Sequence, residues 1–474
     1  MTFLSLAVFL PFLAGLAVLA LGRGGRLAEG GTGVAVTVGA LHRLAFSFPP
    51  SDLVLSGPFG VHLFIDDQSA LFVLLAGLVV TAVAPEERER PPFQGLVLLL
   101  LGACNAAFVS YDFFNVYVAI ELVTLLGFLL IRWGGGLRRT WAAVKYLMTG
   151  HVGMILYLLG CLEAFGATGS FSMAGLADLP PLALLLMASG LAVKGGLFVL
   201  GLWLPEAHGG AAAPVSALLS AVVVTTGLAP LLRFASVEPR LLGPLTALAL
   251  LSFVAGSLLA LKEDDYKRLL ASSTLAQVGL ILVVPALGAQ YALYHGLCKG
   301  WLFLTAGRMP HRSVTFMARK GLPWPLLLSL LGASLALSGA PFLGAPGLKE
   351  SLGEAMSPPW GGLFKILALL TPIYLLRPLL GRPRLIRQGG WQKWLFPLLL
   401  SLSLVMMGHF LGWTPSHSVI PAVVTLLLGL TVAFLLPLPG EGKGGPWALE
   451  NLENLLGLSV LFAQVLLLVW RWLP

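Results

Sequence analysis

The stretch PLALLLMASGLAVKGGLFVLGLWLPEAHGGAAAPVSALLSAVVVTTGLAPLLRF, residues 181–234, decides how the chain is read. An apolar run from Leu182 to Val193 ends on a lysine, Lys194, and two glycines, Gly195 and Gly196, follow directly. An ammonium near the middle of a membrane helix costs roughly 2.5–3.5 kcal/mol on insertion scales, so a lysine kept there has a task. The glycines invite a break in the helix, where freed backbone groups and water can meet the charge. Transporters build their ion sites in this way. Beyond the break lie a turn, LPEAH at 204–208, and a second apolar segment.

The surroundings fit that reading. Of 474 residues, 57% are hydrophobic and only 11% charged, with a mean hydropathy of +0.91. A soluble domain carries about a quarter charged residues, so this is an integral membrane protein. Apolar runs of about 17–25 residues recur without strand alternation, which predicts an all-α fold. We place spans at about 2–22, 30–48, 66–84, 93–111, 112–132, 140–165, 181–204, 212–234, 241–261, 267–288, 290–307, 322–356, 361–380, 394–413, 419–437 and 455–472. The second is interrupted by His42 and Arg43, and 322–356 is long enough for two half-helices. Phe3–Leu21 lacks a preceding basic flank and a following cleavage site, so it is expected to be a retained span.

Charge sets the topology. Arg23 and Arg26, Arg132 to Arg139, Lys262 to Arg268, Arg308 to Lys320 and Arg377 to Lys393 all fall on odd-numbered connections, which the positive-inside rule makes cytoplasmic, with both termini outside. Arg233 and Arg240 are the main exceptions. Short basic clusters between apolar runs explain the net charge of +8 by topology and lipid headgroup contact, and argue against nucleic acid. Cys104, Cys161 and Cys298 sit alone, with no spacing suited to a metal or cluster, and no phosphate-cradling or dinucleotide motif occurs. No cofactor is expected.

Two halves share an outline. Glu121 precedes the glycine-broken span with Lys194; His295 and Lys299 precede a span interrupted by Pro341 and Pro346 that carries Lys349. This predicts an inverted repeat with a discontinuous helix in each copy. Intramembrane ionisable residues are functional by default, though a structural ion pair between Glu121 and Lys194 is the plain alternative. His295 and Lys299, four apart, share a helix face, with a lysine snorkelling to a nearby loop as their alternative.

Several stretches resemble the antiporter-like subunits shared by Mrp-type sodium/proton antiporters, respiratory complex I and membrane-bound hydrogenases. They are DFFNVYVAIE (112–121), KYL (145–147), FGATGSFSMAGLA (165–177), KGGLFVLGLWLPEAHGGAAAPVSALL (194–219), DYKRLLASSTLAQVG (265–279), HGLCKGWLFLTAG (295–307) and GAPFLGAPGLK (339–349). The asparagine and tyrosine of DFFNVYV and a lysine at 349 look closer to the Mrp D-type and hydrogenase subunits. The resemblance implies 14–16 helices and a chain of protonatable groups along the bilayer midplane, with Glu121 at its acidic end, Lys194 at the first break, His295 and Lys299 in the middle and Lys349 at the second break. It implies residues 1–92 as N-terminal helices, 93–234 and 241–380 as two ion-translocation repeats, and 381–474 as C-terminal helices.

This chain departs from the family at two stations. A histidine is usual seven residues after the broken-helix lysine, where Gly201 stands, and a lysine is frequent where Thr225 stands. A threonine hydroxyl can hold a water but carries no charge. His151, in the sixth span, is a candidate replacement that the family does not predict. His208, in the LPEAH turn, is expected in a loop, where capping a helix competes with relay. The implied function is a proton-translocating subunit, sodium-exchanging where the Mrp pattern holds, of a multisubunit complex in a bacterial or archaeal cell membrane. Two alternatives stay open: the pumping subunit of a redox complex, and a non-conducting scaffold.

Overall fold

A computed structural model describes residues 2–54, 61–86, 90–341, 343, 345–356, 358–381, 395–413 and 416–438, with 454, 457 and 458. Its helices in chain order are α1 (Thr2–Leu21), α2 (Gly25–Ala45), α3 (Asp67–Val83), α4 (Pro91–Val109), α5 (Phe113–Arg132), α6 (Leu137–Thr168), α7 (Pro181–Gly195), α8 (Trp203–Gly210), α9 (Ala213–Leu218), α10 (Thr225–Val237), α11 (Leu242–Lys262), α12 (Tyr266–Val283), α13 (Pro285–Ala306), α14 (Val314–Lys320), α15 (Trp324–Ser338), α16 (Pro346–Ala355), α17 (Pro358–Leu367), α18 (Leu370–Leu376), α19 (Leu395–Phe410) and α20 (Val419–Leu435). Among the described residues, six helical segments are long and apolar enough to cross a membrane outright: 91–109, 113–132, 137–168, 213–237, 239–262 and 360–379. Six shorter apolar helices accompany them. Fifteen of the expected spans coincide with helices or helix pairs; the last, 455–472, lies almost wholly outside the described residues.

The all-α expectation holds, and among the described residues one small sheet accompanies the helices. Strands β1 (Ser51–Val54) and β2 (His62–Ile65) pair antiparallel on the loop between α2 and α3. Backbone bonds tie this hairpin to the next connections on the same side: the Tyr111 amide donates to the His62 carbonyl, and the Met173 amide to the Tyr111 carbonyl. The weak second span is a continuous helix, because Arg43 turns to the Pro49 carbonyl (3.1 Å) and to Asp67 (3.5 Å).

Both discontinuous helices end in the same way. Gly196 (φ 72°) and Gly339 (φ 90°) adopt the left-handed conformation that glycine takes without a Cβ penalty. At the first break the Leu197 amide reaches the Ala192 carbonyl and the Gly196 amide the Val193 carbonyl; at the second, Ala340 reaches Leu335 and Gly339 reaches Ala336. This is a Schellman closure, used twice at equivalent places. Pro346 opens the second half-helix at its first turn, where its missing N–H costs nothing. The first half-helix is held against α6 by small residues: a Cβ added to Gly190 would lie 2.4 Å from the Gly153 carbonyl oxygen. Such close backbone approach is the usual means of helix association in lipid. Between α9 and α10 the chain makes a π-helical turn, Leu219–Val223.

The basic residues that broke the charge pattern are paired. Arg233 makes two 2.9 Å bonds to Asp66, and Arg240 bonds Glu238 at 2.7 Å, both among the even-numbered connections. Arg377, expected at the lipid headgroups, is buried instead and donates to the Leu261 carbonyl at 3.0 Å. The rest of that cluster, 382–393, lies outside the described residues.

Candidate functional site

The first cluster forms where α5, α6 and α7 meet. Asp112 caps α5 by accepting the Asn115 amide at 2.6 Å, which fixes the start of a helix that places Glu121 and Thr124 three residues apart on one face. The Lys194 ammonium, whose residue is 1% exposed, donates to Thr124 Oγ1 at 2.6 Å and lies 4.9 Å from the centre of the Tyr146 ring. Gly150 makes room for it, since a Cβ there would lie 3.1 Å from both Lys194 Nζ and Thr124 Cγ2. Glu121 is paired with His151, Oε2 to Nδ1 at 2.9 Å, and both are partly exposed. The alternative of a structural ion pair between Glu121 and Lys194 is therefore not what forms. The carboxylate has an imidazole partner, and the lysine has a hydroxyl.

The second cluster lies between α12 and α13. Lys299 is fully buried and donates to the Leu270 carbonyl at 2.7 Å and to Ser273 Oγ. His295, one turn earlier, is equally buried, and its ring lies within reach of the Ser220 backbone without a hydrogen bond of good geometry among the described residues. One turn earlier again, Tyr291 donates to Gln277 at 2.6 Å, and Gln277 donates to Tyr374 (3.0 Å) and Thr371 (3.2 Å) of α18. Tyr291, His295 and Lys299 thus form a stripe at four-residue spacing, facing Ser273 and Gln277 at the same spacing. That matched spacing was the signal by which the tyrosine, serine and glutamine could have been found.

Lys349 is half-buried at the second break and donates to the Leu337 carbonyl at 2.6 Å. It belongs to the second half-helix and satisfies a carbonyl at the end of the first, whereas Lys194 belongs to the last turn of its own first half-helix. The same Schellman closure therefore carries its lysine from opposite sides.

His208 lies in the short helix α8, not in a loop. It is fully buried and stacks on Phe303 at 5.0 Å between centroids, and its ring lies within reach of the Ser216 backbone without a hydrogen bond of good geometry among the described residues. Phe303 is one turn from Lys299. Glu206, two residues before it, lies 3.3 Å from Arg268 and 3.9 Å from Lys145, and Arg268 also pairs with Glu263 at 3.0 Å. The departures from the motif are built into the backbone. A Cβ on Gly201 would lie 2.1 Å from the Gly196 carbonyl oxygen, so this turn leaves no space for a histidine. The Thr225 hydroxyl donates to the Val222 carbonyl, in the π-helical turn just before its helix, at 2.7 Å.

Residues 110–356 match the family model described as NADH:quinone oxidoreductase/Mrp antiporter, transmembrane. NADH-quinone oxidoreductase subunit N of Desulforudis audaxviator is 33% identical over 366 residues, 68% of this chain and 72% of that protein. The D-type subunit of the Na(+)/H(+) antiporter of Alkalihalophilus pseudofirmus is 28% identical over 319 residues, 60% of this chain and 64% of that protein. Among solved structures, a chain of the membrane-bound sulfane sulfur reductase, an archaeal respiratory membrane complex, superposes with a TM-score of 0.78 at 24% identity, covering 91% of this chain and 99% of that one. Its likeness concerns the fold alone.

Proposed function

Because this chain belongs to the NADH:quinone oxidoreductase/Mrp antiporter transmembrane family, we propose that it carries protons across a bacterial or archaeal cell membrane as one subunit of a multisubunit complex. The route runs from the Glu121–His151 pair through Lys194 to His295 and Lys299 and on to Lys349. His208, buried beside the Lys299 helix, takes the place between Lys194 and Lys299 that Gly201 and Thr225 leave without a titrating group. In an antiporter complex the protons would be exchanged for sodium.

The observation that carries this reading is the bonding of the lysines. Lys194 is held by a hydroxyl, Lys299 by a carbonyl and a hydroxyl, and Lys349 by a carbonyl. A lysine bonded to neutral groups releases its proton without stranding a counter-ion in contact, whereas breaking a buried ion pair leaves an uncompensated charge. The test is proton and sodium flux in inverted vesicles holding the intact complex. Lys194→Ala and, separately, Glu121→Ala should each lower proton flux at least tenfold while the complex still assembles. Native rates in both variants would overturn the route and leave the scaffold reading.

The identity to NADH-quinone oxidoreductase subunit N favours a second reading, in which electron transfer in other subunits drives the same route. Flux that appears only when an electron donor is supplied would select it.

A further inference from the structure

The second break opens onto a feature that this route does not use. A cavity of about 270 Å³ is lined by Lys349, Glu350, Phe364, Lys365, Ser418 and Thr425, among others, and so lies between α16, α17 and α20. Glu350 follows Lys349 directly, on a half-helix buried along much of its length. One of its oxygens, Oε2, is buried without a hydrogen bond among the described residues, and His417 Nε2 lies 3.8 Å from it. The Glu350 side chain is 20% exposed and that of His417 71%. Lys349 and Glu350 are thus both half-buried, and the imidazole beside them is at the surface.

Among the described residues, the groups around Glu350 are few. Lys349 and Glu354 share its helix, Lys365 comes from α17, and His417 from the turn before α20; α20 itself lends the cavity Thr425 and no charge. From α13, Cys298 lies within electrostatic range of Lys349. Trp413, beyond the end of α19, donates from its indole to Gln290 near the start of α13 at 3.2 Å, and its carbonyl accepts the Gly347 amide of α16 at 2.8 Å. The cavity therefore faces the even-numbered connections, the side poor in lysine and arginine. The cavity wall is mostly apolar, but Lys349, Glu350, Ser418 and Thr425 line it, and a space of this size with polar partners has room for several waters.

We propose that Glu350 is the last relay group between Lys349 and the aqueous phase, with His417 at the mouth of its cavity. A proton leaves Lys349 Nζ, crosses the cavity through water to Glu350 Oε2, and passes to His417 Nε2 or to bulk water; the carboxylate is then free to take the next. The reverse sequence loads Lys349. The inference rests on the proton-route reading and adds its terminus.

The test uses the reconstituted complex, with proton flux followed across pH and Lys194→Ala as the control for the route. Glu350→Gln should slow flux at least fivefold, Glu350→Asp should keep at least half the native rate, and His417→Ala should shift the pH profile with less than a threefold loss. Thr425→Cys should react with a membrane-impermeant maleimide applied from the side bearing Ser416–Ser418. A Glu350→Gln complex with native rate and pH profile, alongside an inactive Lys194→Ala, overturns this inference and spares the route. Native flux in Lys194→Ala overturns the route; slow Glu350→Gln with labelled Thr425→Cys then still establishes the local relay. Thr425→Cys that resists the reagent overturns the cavity's role, and it decides the matter if Glu350→Gln fails to assemble.

Discussion

At Gly201 a single missing side chain separates this molecule from the motif it otherwise follows, and the backbone explains why. The Gly201 amide bonds the Leu197 carbonyl at 2.6 Å, which folds the turn so tightly that any Cβ meets the Gly196 carbonyl. Gly201→His is therefore expected to destabilise the protein by about 1–3 kcal/mol or more, as overpacking does, and not to raise proton flux. Thermal unfolding of the purified complex together with vesicle flux checks both halves; a stable variant with faster flux would mean that the turn relaxes. The ionisable residues of the candidate site, Glu121, Lys194, His295, Lys299 and Lys349, stand out in the sequence because a charge in an apolar run is conspicuous. Their partners do not. Thr81, Thr425 and Thr431 each bond the carbonyl four residues back, as Thr124 also does, and only tertiary packing decides that Thr124 receives a lysine as well.

Helix pairs raise a different question, because the same small residues set both how close α6 and α7 come and where Lys194 ends. Two glycines separate the effects. Gly190→Ala drives a Cβ to 2.4 Å from a carbonyl oxygen of α6, a backbone atom that cannot swing aside, so it should cost about 1–3 kcal/mol and lower the yield of assembled protein. Gly150→Ala meets the flexible end of Lys194 and the Thr124 methyl, each at 3.1 Å, side-chain atoms that need give by only a few tenths of an ångström. That variant should unfold near the native temperature yet lose at least threefold in flux, because the Lys194–Thr124 bond is displaced. Equal losses of stability in the two variants would refute the distinction. Element positions were largely legible from the length and spacing of apolar runs, and the two half-helices of 322–356 from its length. The β1–β2 hairpin was missed because four-residue strands give too short an alternation to register, and the helix at His208 because eight residues containing two glycines and a proline read as a turn.

For the molecule as a whole, the ion pairs sort by side: Glu86–Arg308 joins two odd-numbered connections, while Asp66–Arg233 joins an even-numbered connection to the adjacent end of α10. The exceptions to the charge pattern are thus neutralised on the side where they fall, something invisible in a sequence that separates Asp66 from Arg233 by 167 positions. Burial alone would push the Asp66 carboxyl up, but the Arg233 guanidinium beside it and the bonds from Arg233 and Ser69 outweigh burial and hold it below the usual carboxylate range. For a carboxylate lowered on folding, the stabilisation is complete above its unfolded value and is lost as pH falls through the folded one. Asp66→Asn keeps a residue able to cap α3 but removes the charge opposite Arg233, so it should cost about 1.5–3 kcal/mol at neutral pH, the scale of a hydrogen bond to a charged group. The difference in unfolding temperature between native and variant complexes should stay constant from pH 7 to about pH 5 and shrink as pH drops below the ordinary carboxylate value of 3.8. A difference that persisted unchanged into strong acid would mean that the asparagine disturbs the cap and that the pair contributes nothing; one that closes in acid shows that this long-range pair holds the α3 and α10 ends together.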